Sequence, residues 1–146
     1  MLKIFSKIKE NQNIKELTED EKHILTVSIL IECAKGDNDF SDEEILKIRN
    51  VIKHKLHVND DKLNFIFDSA LEMTQDNVEI YSLTKDIRDN FDKKEILDIF
   101  EYMWSVMLAD GEVDDYESAL MSKLVGLFHL TGKESAEAKN KAMSHN

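Results

Sequence analysis

Five segments of the chain carry the signature of a helix start, in which a residue that can cap a helix is followed three positions later by glutamate. In such a capping box the first side chain accepts a hydrogen bond from a backbone amide without a helical partner, and the glutamate reaches back to the cap residue's amide. The chain has no proline and four glycines, so long helices can follow these starts. The sequence therefore predicts an all-α fold. The five pairs are Thr18 and Glu21, Ser41 and Glu44, Asp92 and Glu95, Asp114 and Glu117, and Thr131 and Glu134.

Apolar residues recur at helical spacing behind these starts, as at Ile45, Ile48 and Ile52. A length of 146 residues with 42 % hydrophobic residues suits one domain with its own core. We expect a compact single-domain bundle of about six to eight helices. Its parts are a basic amphipathic N-terminal segment at 1–16, a helical domain at 17–132, and a polar tail or weak helix at 133–146.

An internal repeat is the second feature of the sequence. Residues 37–44 and 110–117 share one pattern: Asp, then Asn or Gly, an acid, an apolar residue, a cap residue, Asp, any residue, and Glu. Asn38 and Gly111 hold the second position, and these two residue types best tolerate a left-handed backbone. Each copy therefore predicts a helix, a tight acidic turn and a second, capped helix.

Each acidic turn contains five carboxylates and no basic side chain. Such crowding is unfavourable unless a cation relieves it, and hard divalent cations take carboxylate and carbonyl oxygens as ligands. We expect weakly held Ca²⁺ or Mg²⁺ at one or both turns, more strongly at the second because Gly111 allows a tighter backbone. The candidate ligands are Asp110, Glu112, Asp114 and Glu117 in the second turn, and Asp37, Asp39, Ser41 and Glu44 in the first.

Other interpretations of the turns stay open. Neither turn is an EF-hand, since counting from Asp37 or Asp110 puts no glycine at position six and no glutamate at position twelve. Acids in a first turn also cap the helix and favour its dipole. The same acidic surface could instead dock a basic protein.

Composition narrows the functional class. With a net charge of −11 and no basic stripe, the chain is not expected to bind nucleic acid. The single cysteine, Cys33, is expected in the core, and no apolar stretch is long enough to span a bilayer, so a cytoplasmic protein is predicted. His54 and His57 are expected at the surface, and no catalytic motif is present, so we do not expect an enzyme.

The N-terminus differs in character from the rest of the chain. Residues 1–9 carry three lysines and no acid, and as a helix they place Leu2, Phe5 and Ile8 along one side. A short basic amphipathic segment of this kind can lie at an anionic membrane surface, here the inner face, as a peripheral contact. The alternative, which we favour, is that it packs on the domain's own core or on a second subunit.

Residues 31–44 and 104–117 resemble the TerB family of tellurite-resistance and stress-response proteins, and residues 80–84 resemble the family's middle region. The resemblance runs from about Leu17 to Gly132. It implies an all-helical stress-response module with acidic turns that bind divalent metal, acting with other proteins in a cytosolic complex linked to membrane stress. The first motif departs from the family pattern, because Asn38 stands where glycine is usual. The alternative function is a metal-independent interaction or scaffold module that docks a basic partner.

Overall fold

The computed structural model describes residues 16–35, 40–75 and 80–144. Over these ranges the chain forms seven α-helices and no strand, which confirms the all-α prediction. A π-helical segment, Val51–Lys55, directly follows α2, and a 3-10 turn, Leu108–Asp110, directly follows α5. The helices are α1 (Glu19–Ala34), α2 (Asp42–Asn50), α3 (Asp60–Gln75), α4 (Ile80–Asn90), α5 (Lys93–Met107), α6 (Asp115–Leu127) and α7 (Gly132–Ser144).

All five predicted capping boxes are present. At the start of α5, for example, Asp92 Oδ1 accepts from the Glu95 amide at 2.8 Å, and the Asp92 amide donates to Glu95 Oε1 at 3.0 Å. These bonds satisfy amides that the first helical turn leaves without partners. The short capping sequences thus fix where α1, α2, α5, α6 and α7 begin.

Two helices form the centre of the bundle. Helix α1 packs against α3, α4 and α5, and α5 also packs along α7. Phe100 of α5 is fully buried and meets Phe128 edge-to-face, with 5.5 Å between ring centroids. Cys33 is buried as predicted, and burial raises the pKa of its thiol, with the charges of Glu32 and Glu117 acting in the same direction. It therefore stays an uncharged core side chain.

The C-terminal segment forms a docked helix. Ala138 and Ala142 of α7 are buried, and Trp104 Nε1 of α5 donates a hydrogen bond to Ser135 Oγ at 3.2 Å. Small alanine side chains allow the two helices to approach closely, so this polar sequence still contributes to the core.

Two expectations lie partly or wholly outside the described residues. The internal repeat stays a prediction, because residues 36–39 of its first copy are not described. The segment at 1–16, including the amphipathic stretch 1–9, is described only at Glu16. Among the helices that are described, none is long and apolar enough to cross a membrane.

Candidate functional site

The second acidic turn connects α5 to α6. The 3-10 turn after α5 ends at Gly111, whose φ of +94° is left-handed and whose amide donates to the Leu108 carbonyl at 2.9 Å. Glycine adopts this conformation without the strain that a side chain brings. The tight turn at Gly111 is the one that the sequence predicted. Next to it, Asp110 Oδ1 accepts from the Glu112 amide at 3.2 Å.

Two further candidate ligands form the capping box of α6. Asp114 Oδ1 accepts from the Glu117 amide at 2.7 Å, and the Asp114 amide donates to Glu117 Oε1 at 3.1 Å. Asp114 is exposed, whereas Glu117 retains only 9 % of its accessible surface. The capping role predicted for this pair is therefore confirmed, and it places a carboxyl group beneath the surface of the turn.

The first turn has the same arrangement where it is described. Ser41 Oγ accepts from the Glu44 amide at 3.1 Å, and Glu44 Oε1 accepts from the Ser41 amide at 3.0 Å and from the Ser41 hydroxyl at 2.9 Å. Glu44 is buried, with 6 % of its surface exposed. The other two candidates of this turn, Asp37 and Asp39, lie outside the described residues.

The structure brings the two turns together. The pKa of Glu117 is raised to about 7, chiefly by burial and also by the negative charges of Asp114, Glu44 and Asp110, against the lowering effect of the hydrogen bond from the Asp114 amide. Glu44 belongs to the first turn, so carboxyl groups of both turns lie close enough for their charges to interact. This proximity follows from the packing of the 3-10 turn against α2.

The side chains where the two turns approach each other suit a hard cation better than a soft one. The described acidic side chains there offer carboxylate oxygens, which are ligands for Ca²⁺ and Mg²⁺. Cys33 lies near Glu117, but its raised pKa keeps the sulfur protonated and a poor ligand. In the capping-box geometry, no three His, Cys, Asp or Glu side chains of the described ranges are arranged to hold a metal ion.

The sequence did not predict that the two turns meet. Residues 44 and 117 are far apart in the chain, and the pattern that marks each turn gives no information on their separation in space. The capping-box spacing identified both glutamates, but only the packing of α2 against the 3-10 turn shows that they form one acidic junction. We use the name acidic junction below for Glu44, Asp110, Asp114 and Glu117.

The chain matches a known protein family. The model of the family described as tellurite resistance protein TerB matches residues 23–140, which is most of the chain. The chain therefore belongs to the TerB family, as the resemblance of the two acidic motifs indicated. Comparisons with curated proteins and with solved structures gave no match.

Proposed function

We propose that this TerB-family domain binds a divalent cation, Ca²⁺ or Mg²⁺, with carboxylates from both acidic turns. The observation that supports the proposal is the acidic junction, where the charges of Asp110, Asp114 and Glu44 all act on the buried Glu117, and Glu44 comes from the other turn. Like charges held this close destabilise the folded chain, and a bound cation would remove that penalty. Asp110, Glu112, Asp114 and Glu117 supply most of the ligands in this proposal, and Asp37, Asp39, Ser41 and Glu44 add to them.

Binding requires some side chains to move. Asp110 and Asp114 each accept a hydrogen bond from a backbone amide through one carboxylate oxygen. Both are exposed, so a small rotation can redirect an oxygen towards a cation without disturbing the core. Glu117 is more constrained, because it is buried and bonded to the Asp114 amide. We therefore expect weak binding, with Glu117 contributing charge even where it does not coordinate.

A thermal-unfolding series with Ca²⁺, Mg²⁺, Mn²⁺ and Zn²⁺ tests this function. A ligand that binds only the folded state stabilises it by RT ln(1 + [L]/Kd), about 2.7 kcal/mol at 100 times Kd. We expect millimolar Ca²⁺ or Mg²⁺ to raise the melting temperature and Zn²⁺ to have no selective effect. Asp110→Asn should raise the metal concentration needed for the same stabilisation at least about tenfold, because it removes a charge from a ligand.

Asp61→Asn is the matched control, since Asp61 is an exposed acid in the first turn of α3, outside the acidic turns. It should leave the metal response unchanged. The proposal is wrong if no divalent ion shifts the unfolding curve while Asp110→Asn stabilises the protein merely by relieving repulsion.

The second candidate function is a metal-independent interaction module without enzymatic activity. The same exposed acids, among them Glu112 and Asp115, would then dock a basic face of a partner protein in a cytoplasmic complex. Such docking weakens steeply with added monovalent salt and shows no preference among divalent ions. Metal binding instead shows saturation and ion selectivity, so the same unfolding series at two salt concentrations separates the two functions.

A further inference from the structure

A small groove lies beside the point where the described chain enters α1. Residues from the first two turns of α1 and from α5 line it, and its volume is about 130 Å³. Sites for small organic ligands have volumes of roughly 300 to 1,000 Å³, so this groove has room for one large side chain rather than for such a ligand. Its apolar lining residues are Leu56, Phe91, Ile99 and Tyr102.

The groove is incompletely covered within the described part of the chain. Leu56, Phe91 and Tyr102 pack against the core, yet each stays partly exposed. His23 Nε2 lies 3.3 Å from Glu19 Oε2, while the other ring nitrogen, Nδ1, is buried and has no hydrogen-bond partner among the described residues. Buried polar atoms without a partner are unfavourable and rare in folded proteins. Both observations indicate that a further segment packs here.

The lining is negatively charged after its ion pairs are counted. Two of its three carboxylates are in ion pairs, Glu95 with Lys22 at 2.8 Å and Asp98 with Lys94 at 3.4 Å. The third, Glu19, contacts His23, and burial lowers the pKa of this imidazole, so that it is uncharged at neutral pH. His23 therefore does not compensate the charge of Glu19, and the groove favours a basic occupant.

A basic segment of the same chain lies next to this groove in the sequence. Residues 1–15 precede the first described residue, Glu16, and Glu19 of the groove follows three positions later. The linker 10–15 spans up to about 20 Å when extended, whereas the first two turns of α1 are about 12 Å long. The linker is thus long enough for residues 1–9 to fold back over the groove. Such a tether also gives the segment a high effective concentration there.

The pattern of residues 1–9 matches the mixed lining. The stretch has three lysines and no acid, opposite in charge to the groove. In a helix Leu2, Phe5 and Ile8 share one side, and Lys3 lies opposite Phe5. Phe5 is the central and largest apolar residue of that side. A phenyl ring is also the group that adds favourable ring contacts with Phe91 and Tyr102.

We propose that residues 1–9 form a helix that packs on this groove, with the ring of Phe5 filling it. The lysines then lie in the field of the acidic lining, and the linker 10–15 leads back to the start of α1. A segment docked in this way keeps its apolar side from an anionic membrane surface, the other environment that suits such a sequence. The inference is independent of the function proposed for the acidic junction.

Paramagnetic relaxation measured by NMR on the full chain tests the proposal, with a nitroxide attached at Ser6→Cys. The one native cysteine, Cys33, is 1 % exposed and has a raised thiol pKa, so it does not react with the label. We expect strong broadening of the amide signals of Thr26 and Ile99, which line the groove, and far less at Gly111, beyond the end of α5.

Two variants of the labelled chain test the role of the apolar side. Phe5→Ser should remove most of the broadening and lower the melting temperature by several degrees, because it deletes the buried ring. Lys3→Gln is the matched control, since it changes the opposite side of the same helix. It should keep both the broadening and the melting temperature. The proposal is overturned if Phe5→Ser leaves the broadening intact, or if Lys3→Gln removes as much of it.

Two further measurements distinguish the other occupants. Isotope-labelled chain without the nitroxide is mixed with unenriched chain that carries it, and we expect no broadening in this mixture. Broadening there would place the segment on a second copy and overturn the proposal. Full-length chain is also sedimented with phosphatidylserine vesicles. Binding to the vesicles, together with no broadening at the groove in their absence, would assign residues 1–9 to the membrane instead.

Discussion

Phe100→Ala is expected to lower the free energy of unfolding by about 3 to 5 kcal/mol, the largest loss predicted for any single substitution considered in this protein. The ring is fully buried in the centre of α5, and its removal leaves a cavity that neighbouring side chains cannot fill completely. It also removes the edge-to-face contact with Phe128, which contributes roughly 1 kcal/mol beyond burial. Urea denaturation monitored by circular dichroism measures this loss.

Phe65→Ala provides the comparison for this prediction. Phe65 lies on α3 and is 55 % exposed, so its truncation should change the free energy of unfolding by less than about 1 kcal/mol. A loss of similar size in the two variants would contradict the central position assigned to α5. So would a loss below about 1 kcal/mol for Phe100→Ala.

Glu117→Gln is expected to stabilise the metal-free protein by about 2 kcal/mol at pH 8, a rise in melting temperature of several degrees. The pKa of Glu117 is about 7 in the folded state, well above that of an exposed glutamate. Between these two values the folded state binds more protons than the unfolded state, so the free energy of unfolding falls as the pH rises towards 7. Glutamine removes this penalty and can still occupy the capping box.

The effect should disappear below about pH 4, where the carboxyl group is protonated in both states. Glu21→Gln is the matched control, because Glu21 holds the same position in the capping box of α1, with Glu21 Oε1 accepting from the Thr18 amide at 2.8 Å, away from the acidic junction. It should not stabilise the protein at pH 8. Equal effects of the two substitutions would rule out a charged, buried Glu117 as the cause. So would a stabilisation by Glu117→Gln that is the same at pH 4 and pH 8.

The helices could be predicted because their determinants are local. A capping box needs only two side chains three residues apart, so Asp92 and Glu95 identify the start of α5 without knowledge of its neighbours. The left-handed turn at Gly111 was predictable for the same reason, since the residue type itself permits the conformation.

The acidic junction could not be predicted, because it depends on packing between distant segments. The charge of Glu44 acts on Glu117 only after α2 packs against the 3-10 turn. The π-helical segment is likewise not signalled by the residues of 51–55, whose apolar spacing suits an α-helix equally well.

Calorimetric titration of Ca²⁺ and Mg²⁺ into the wild type and Glu44→Gln tests most directly whether the two turns form one site. Glu44 is the buried carboxyl group that the first turn contributes to the junction, and glutamine keeps its place in the capping box. We predict one bound ion per chain in the wild type and binding at least about tenfold weaker in Glu44→Gln, with Glu21→Gln unchanged. Saturable binding that Glu44→Gln leaves intact would confine the ion to the second turn, and the absence of saturable binding in the wild type would contradict the metal-binding function itself.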